Sequence, residues 1–249
     1  VIPVCIDLET RPPLVHASAM EELAKASKKN PKRTEDSRAE WAACPGNQRI
    51  AWAGGALGLA SARIIAISII IDCEPPEVWA SWDDEWGILK RLESRLCNGI
   101  DGEIQWVGHN IAAFDLPLLR LASMRHGLSD LRDLIPTYRY SDRIHDNMQR
   151  AIQPAGSYSG VTADALARAV GLPGKGDLAV MDWPDLWSQC IDGRTLEEVT
   201  ERRLIPGSPL EAAKTTARRK AAAMAKIRAR VLRDVEVEWA TFEKMIGIP

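Results

Sequence analysis

The sequence has no C-x-x-C pair, no apolar stretch of transmembrane length, no internal repeat and no large excess of either charge. Its five cysteines (Cys5, Cys44, Cys73, Cys97 and Cys190) are scattered, so neither a disulfide framework nor a zinc ribbon is expected, and a reducing compartment fits them. The lack of a membrane-length stretch and of a signal-peptide pattern at the start leads to the expectation of a soluble, cytoplasmic protein without a membrane partner. The net charge of −2 neither demands nor excludes nucleic acid, because an enzyme built on acidic metal ligands can look neutral overall. The G-K-G at 174–176 lacks the full spacing of a phosphate-binding P-loop, which argues against nucleoside triphosphate binding.

What is present is a hydrophobic content of 46% over 249 residues, enough for a sizeable core and an α/β organisation. Val1 to Leu8 reads as a buried strand. The polar, basic stretch from Met20 to Ser37 reads as an exposed insertion. Two following segments, A-W-A-G-G-A-L-G-L-A and R-I-I-A-I-S-I-I-I, are expected to pair as a hairpin, the second being the strongest strand signal in the chain. Trp86, Leu89, Leu92 and Leu96 have helical spacing behind an acidic start. I-Q-W-V-G-H-N then reads as a strand, and the helix after it is closed by Gly127. Another helix is closed by Gly171. Ser208, Pro209 and Glu211 form a capping-box start to a long C-terminal helix, with an apolar stripe through Leu210, Ala213, Ala217, Met224, Ile227, Val231, Val235, Trp239, Phe242 and Ile246. Between Ala212 and Arg233 this helix carries basic residues and no acid, a pattern shared by solvated faces and phosphate-facing surfaces.

Three acidic features point to chemistry. Asp7 and Glu9, in I-D-L-E-T, are two apart in a strand and so share a face, where like charges destabilise unless a cation sits between them. The D-x-E pattern occurs five times, and Asp72 with Glu74 is the serious rival because it too ends an apolar strand. The E-P-P that follows Asp72 looks like a turn leaving the sheet, which favours the first pair. Asn110, Phe114 and Asp115 stand where a strand gives way to a helix, a place where an acid is commonly just an N-cap. Asp234 lies beside the apolar stripe of the last helix. Asp146 is read as a strand-end hydrogen bonder or a fifth acid, and Trp183 and Trp187 as packing residues to compare with a groove.

Taken together, D-L-E-T, N-x-x-x-F-D and the C-terminal helix with D-V resemble the three exonuclease motifs of the DEDD superfamily. The segment G-L-P-G-K-G-D (171–177) and F-D-L-P-L-L-R followed by R-H-G-L further resemble stand-alone 3′–5′ exonucleases related to the proofreading domain of family B DNA polymerases. The resemblance implies a ribonuclease H-like α/β fold, with a mixed central sheet flanked by helices and a long C-terminal helix. It implies a single domain over 1–249 with a polar insertion near 15–48 and a helical one near 198–220.

The implied activity is metal-dependent 3′–5′ hydrolysis at single-stranded DNA ends, with RNA as the alternative substrate and a DNA polymerase or replication and repair machinery as partner class. Two Mg²⁺ or Mn²⁺ ions would be held by Asp7, Glu9, Asp115 and Asp234, which would be the catalytic residues. Leu8, Thr10, Asn110, Phe114, Lys175 and Arg230 would contact substrate. The sequence departs from the family in one place. The Tyr four residues before the third-motif Asp, or the His five before it, is replaced by Arg230 and Ala229. A guanidinium is no general base, so a catalytically impaired nucleic-acid-binding module on the same fold is the competing expectation. Arg230 has an alternative role as an i,i+4 ion-pair partner of Asp234.

Overall fold

The computed structural model describes residues 1–12, 17–30, 34–59, 61–152, 161–176, 182–200 and 204–247. Parts of both expected insertions, and Asp177 of the G-L-P-G-K-G-D segment, lie outside them.

Five strands, β1 (Ile2–Arg11), β2 (Arg63–Ile71), β3 (Glu77–Ala80), β4 (Ile104–Gly108) and β5 (Ile144–Asp146), form one mixed sheet in the order β3-β2-β1-β4-β5. The helices are α1 (Ala17–Ala26), α2 (Glu35–Ala43), α3 (Pro45–Ala53), α4 (Glu85–Gly99), α5 (Asp115–Arg125), α6 (Ser129–Leu134), α7 (Asn147–Ile152), α8 (Ala163–Ala169), α9 (Trp183–Asp192), α10 (Leu196–Thr200) and α11 (Pro209–Met245). The chain divides into two compact units, one of Val1–Glu9, Ile64–Val180 and Ile227–Pro249, the other of Thr10–Arg63 and Met181–Lys226. The segments anticipated as insertions, near 15–48 and 198–220, both fall in the second unit.

The first unit contains the sheet. β4 is parallel to β1, with Val4 opposite Trp106 and Cys5 opposite Val107, and β5 is parallel to β4, with Gly108 opposite Asp146. The Asp72 N–H donates to the Pro3 carbonyl, which sets the end of β2 beside the start of β1. The isoleucine run of β2 is almost wholly buried, as an interior strand requires. Its hairpin partner is not the A-W-A-G-G segment. That segment is helical, forming the end of α3 and a 3-10 turn over Gly54–Leu57, and β2 pairs antiparallel with β3 instead. Alanine, the strongest helix former, dominates the segment, and Ala51, Trp52 and Ala53 are buried from a helix instead of a strand. Asp72 adopts φ 51° in the turn after β2, and Glu74 beside it is exposed and ion-paired with Arg95, so the rival acidic pair belongs to the surface.

α11 packs onto the sheet through Val235 and Phe242, which cluster with Cys5, Ile70 and Val107. Its capping box forms as expected, Glu211 accepting from the Ser208 N–H at 2.8 Å and the Glu211 N–H donating to the Ser208 hydroxyl. The apolar stripe is buried only in its later part. Ile227, Val231 and Val235 are fully buried, whereas Ala213 and Ala217 are exposed and Leu210 and Ile246 are 65% and 47% exposed.

The second unit is helical. Ala24, Ala42 and Ala51 of α1, α2 and α3 form a small-residue core with Trp41 packed against it. Trp187 is buried, edge-on to Trp52 and 5.7 Å from Trp183, so this pair serves packing. Lys and Arg outnumber Asp and Glu in this unit and the reverse holds in the first, a separation hidden in the overall charge.

Candidate metal centre

Burial alternates along the exit of β1: Asp7 and Glu9 are partly exposed, Leu8 and Thr10 buried. The face bearing Asp7 and Glu9 is the one on which Cys5, two residues earlier, meets α11, its thiol lying 3.8 Å from the Val235 carbonyl. Helical periodicity then sets two rows side by side on α11. Ile227, Val231 and Val235 enter the core, and Arg230, Asp234 and Glu238, spaced i,i+4, run along the flank. Asp234 is thus brought to Asp7 and Glu9, and one carboxylate oxygen from each of the three lies within 4.8 Å of the others.

Asp115 enters from the other side. At Gly108 an added Cβ would come 3.1 Å from the Ile6 carbonyl oxygen, so the close approach of β4 to β1 favours glycine. Asn110 then takes φ 61°, a left-handed conformation that asparagine tolerates better than most residues. The Asn110 and Ala112 N–H groups both donate to Asp146, whose carboxylate also accepts from Met148 and Gln149. Asp146 is therefore the strand-end hydrogen bonder and holds the loop that starts α5. Phe114, not Asp115, is the N-cap residue; Asp115 opens the helix as a buried acid.

The electrostatics are severe. Burial raises the Asp7 carboxyl well above the usual range, and Glu238, Asp234, Glu9 and Asp115 push it further. Glu9 is raised to about 8 by burial and by Asp234, against the opposing pull of Arg230 and Lys175. Burial also raises Asp115 to about 8, although its own backbone N–H and that of Leu8 hydrogen-bond it. Glu238, buried and accepting from the His109 N–H at 3.2 Å, is raised well above its ordinary value by burial and by Asp115.

Two cations answer these acids. Lys175 Nζ lies 2.9 Å from Asp234 Oδ1, and Arg230 Nε 2.8 Å from Asp234 Oδ2. Arg230 thus makes the i,i+4 ion pair with Asp234. Lys175 is positioned by its N–H bond to Asp164 and by Arg233, which donates to the Gly174 carbonyl. Five acids against two cations leave the cluster undercompensated. Among the described residues no donor reaches the buried Asp7 Oδ2, and a hard cation would satisfy it. Asp7, Glu9 and Asp234 can therefore hold a metal ion.

Of the other expected contact residues, Leu8 is buried, and Thr10 is buried in the second unit with its hydroxyl donating to the Ala56 carbonyl at 2.8 Å. That hydroxyl is already committed. Asn110 and Phe114 are half-buried beside Asp115. The His109 ring meets the Val161 carbonyl, His126 pairs with Glu85, and His145 packs edge-on to Phe242. On the acid-free stretch of α11, Arg219 pairs with Glu198, whereas Lys214, Arg218, Lys220, Lys226 and Arg228 have no ion-pair partner among the described residues. Sequence reasoning missed Glu238; its signal was the four-residue step from Asp234 on a face already bounded by apolar residues.

No family model, curated protein or solved structure matches this chain. Among the described residues no helix is long and apolar enough to cross a membrane.

Proposed function

We propose that the protein is a metal-dependent 3′–5′ exonuclease acting on single-stranded DNA ends. The observation that carries this reading is the convergence of Asp7, Glu9 and Asp234 within 4.8 Å, with Asp7 Oδ2 buried and without a donor among the described residues. The mixed sheet, flanking helices and long C-terminal helix agree with the ribonuclease H-like architecture that the sequence motifs resemble.

The donor set is entirely carboxylate, which suits Mg²⁺ or Mn²⁺ over softer metals. Two such ions, when bound, supply an activated water and stabilise the leaving oxygen of a phosphodiester. Asp7, Glu9 and Asp234 would hold the metal, and Asp115 would support it from the start of α5. Glu238 adds negative charge behind the ligands. Lys175 and Arg230 hold Asp234 in the metal-free protein and offer positive charge to a scissile phosphate.

A second reading, a nucleic-acid-binding module without turnover, is favoured by one observation. Asp234 already has two cationic partners, and one of them, Arg230, stands where the family has a water-orienting residue. A 5′-labelled single-stranded DNA, incubated with Mn²⁺ and resolved on a denaturing gel, separates the two. The exonuclease reading expects a ladder that shortens from the 3′ end and is lost in Asp7→Asn. An intact substrate with Mg²⁺ and with Mn²⁺, on both DNA and RNA, would refute it in favour of the binding module.

A further inference from the structure

The connection between α6 and β5 carries an unusual surface. Two of the chain's three tyrosines, Tyr138 and Tyr140, are 64% and 53% exposed there. Their rings meet edge to face with centroids 5.6 Å apart, and the Arg139 guanidinium lies 4.8 Å from the centre of the Tyr140 ring. Solvent-exposed aromatic rings with an arginine over them bury little area for their own fold. They present flat, polarisable faces instead.

Two cavities adjoin this segment and share Arg139 and Ile144 as a common wall. One, of about 130 Å³, is polar and lined also by Tyr140, Gln149 and Arg150. Gln149 Nε2 is buried with no acceptor, and Arg150 is exposed with no ion-pair partner among the described residues. This space lies far below the roughly 300 Å³ at which pockets for drug-sized ligands begin; its donors suit a phosphate group, and the Asp146 carboxylate on the same wall is already bound by four backbone N–H groups. The other, of about 300 Å³, is lined chiefly by apolar side chains, including Leu116, Pro117, Leu121 and Pro136. Asp146 forms part of the polar cavity while holding the N–H groups of Asn110 and Ala112; Ala112 and Leu116 line the apolar one. Both cavities therefore border the same segment that carries Asp115.

We propose that Tyr138, Arg139 and Tyr140, with these two cavities, form a subsite for one nucleotide of a single-stranded nucleic acid. The base lies against the tyrosine rings and the apolar cavity, and its phosphate is held by Arg139, Arg150 and the Gln149 amide. Stacking tolerates every base because each has a π-face, so the subsite grips a strand without choosing its sequence. The inference rests on the exonuclease reading only for the kind of polymer bound.

The test uses the full chain in EDTA, with fluorescent oligo(dT) and oligo(rU) as probes and anisotropy measured over a salt series. In Tyr138→Ala/Tyr140→Ala the affinity is expected to fall roughly tenfold or more at every salt concentration, with the slope of log K against log[salt] unchanged. In Arg139→Ala/Arg150→Ala the slope is expected to become shallower by about 0.7 per charge removed. Tyr138→Phe/Tyr140→Phe keeps the rings and should bind as the unmodified protein does. Both tyrosines are more than half exposed, so unchanged melting curves are expected to accompany the loss.

Absence of oligonucleotide binding by the unmodified chain, or wild-type affinity and slope in both alanine double variants, would overturn the proposal, the latter leaving the tyrosines to a protein partner. The same preparations assayed with Mn²⁺ keep the two readings apart. Hydrolysis absent with the binding pattern intact defeats the exonuclease reading and leaves the subsite standing; hydrolysis present with binding unaffected by the variants does the reverse.

Discussion

Replacing Asp7 by asparagine is expected to stabilise the metal-free protein and to abolish its response to metal. The carboxylate oxygens of Asp7, Glu9 and Asp234 lie within 4.8 Å of one another. At an effective dielectric constant near 20, each ionised pair at that distance costs about 3 kcal/mol. Protonation is the alternative escape and is costly too, because holding a carboxyl protonated above its ordinary range costs about 1.4 kcal/mol per pH unit. The sign follows from linkage. Glu9 has its folded value raised to about 8 while the unfolded chain titrates near 4.3. Between these values the folded protein binds the extra proton, so the metal-free protein loses stability as pH rises from about 5 to about 8.

Asp7→Asn removes the central charge. Because Lys175 and Arg230 already offset part of the Asp234 repulsion, a gain of about 2–4 kcal/mol at pH 8 is expected, or roughly 5–15 °C in Tm for a chain of this size. Mn²⁺ at about 1,000 times its Kd should cancel or reverse that advantage, since it stabilises the unmodified protein by about 4.1 kcal/mol while the variant has lost a ligand. Thermal melts at pH 5 and pH 8, in EDTA and in Mn²⁺, test all four corners. A variant less stable than the unmodified protein in EDTA at pH 8, or an unmodified protein whose melt ignores Mn²⁺, would refute the reasoning.

Two other perturbations probe the same unit. Asp146→Ala deprives four backbone N–H groups, those of Asn110, Ala112, Met148 and Gln149, of their acceptor. It should destabilise by roughly 3–5 kcal/mol, measured by urea unfolding, whereas a loss below about 1 kcal/mol would mean water replaces the carboxylate. Lys175→Ala removes a cation that competes with metal for Asp234 Oδ1. Calorimetric titration should show Mn²⁺ binding several-fold tighter, and weaker binding would place Lys175 among the supports of the bound state.

Much of the fold was legible from patterns that act locally. The isoleucine run of β2, the helical spacing of α4 and the Ser208–Glu211 capping box each depend on neighbours within a turn or a strand, and each element forms, with Leu89, Leu92 and Leu96 buried and Trp86 left 51% exposed. The errors came where one local pattern suits two partners. A-W-A-G-G was apolar enough for a strand but pairs with nothing in the sheet, and Leu210 and Ile246 continued a stripe beyond the surface that buries it. For the site, Asp7 and Glu9 were marked by their shared strand face, and the Arg230–Asp234 pair by its four-residue step.

Sequence alone determined which residues carry charge, which face of β1 or α11 each must share, and where helices begin, because those properties follow from chemistry and from fixed periods of 2 and 3.6 residues. Tertiary structure alone decided that Asp7, Asp115 and Asp234, more than a hundred positions apart, meet in one buried cluster, that Glu238 joins them, and that Lys175 crosses from a loop to neutralise Asp234. The pairing of β1 with β4 and the packing of Cys5 against Val235 set those distances. Long-range contacts of this kind depend on how a whole core packs, and no window of neighbouring residues contains that information.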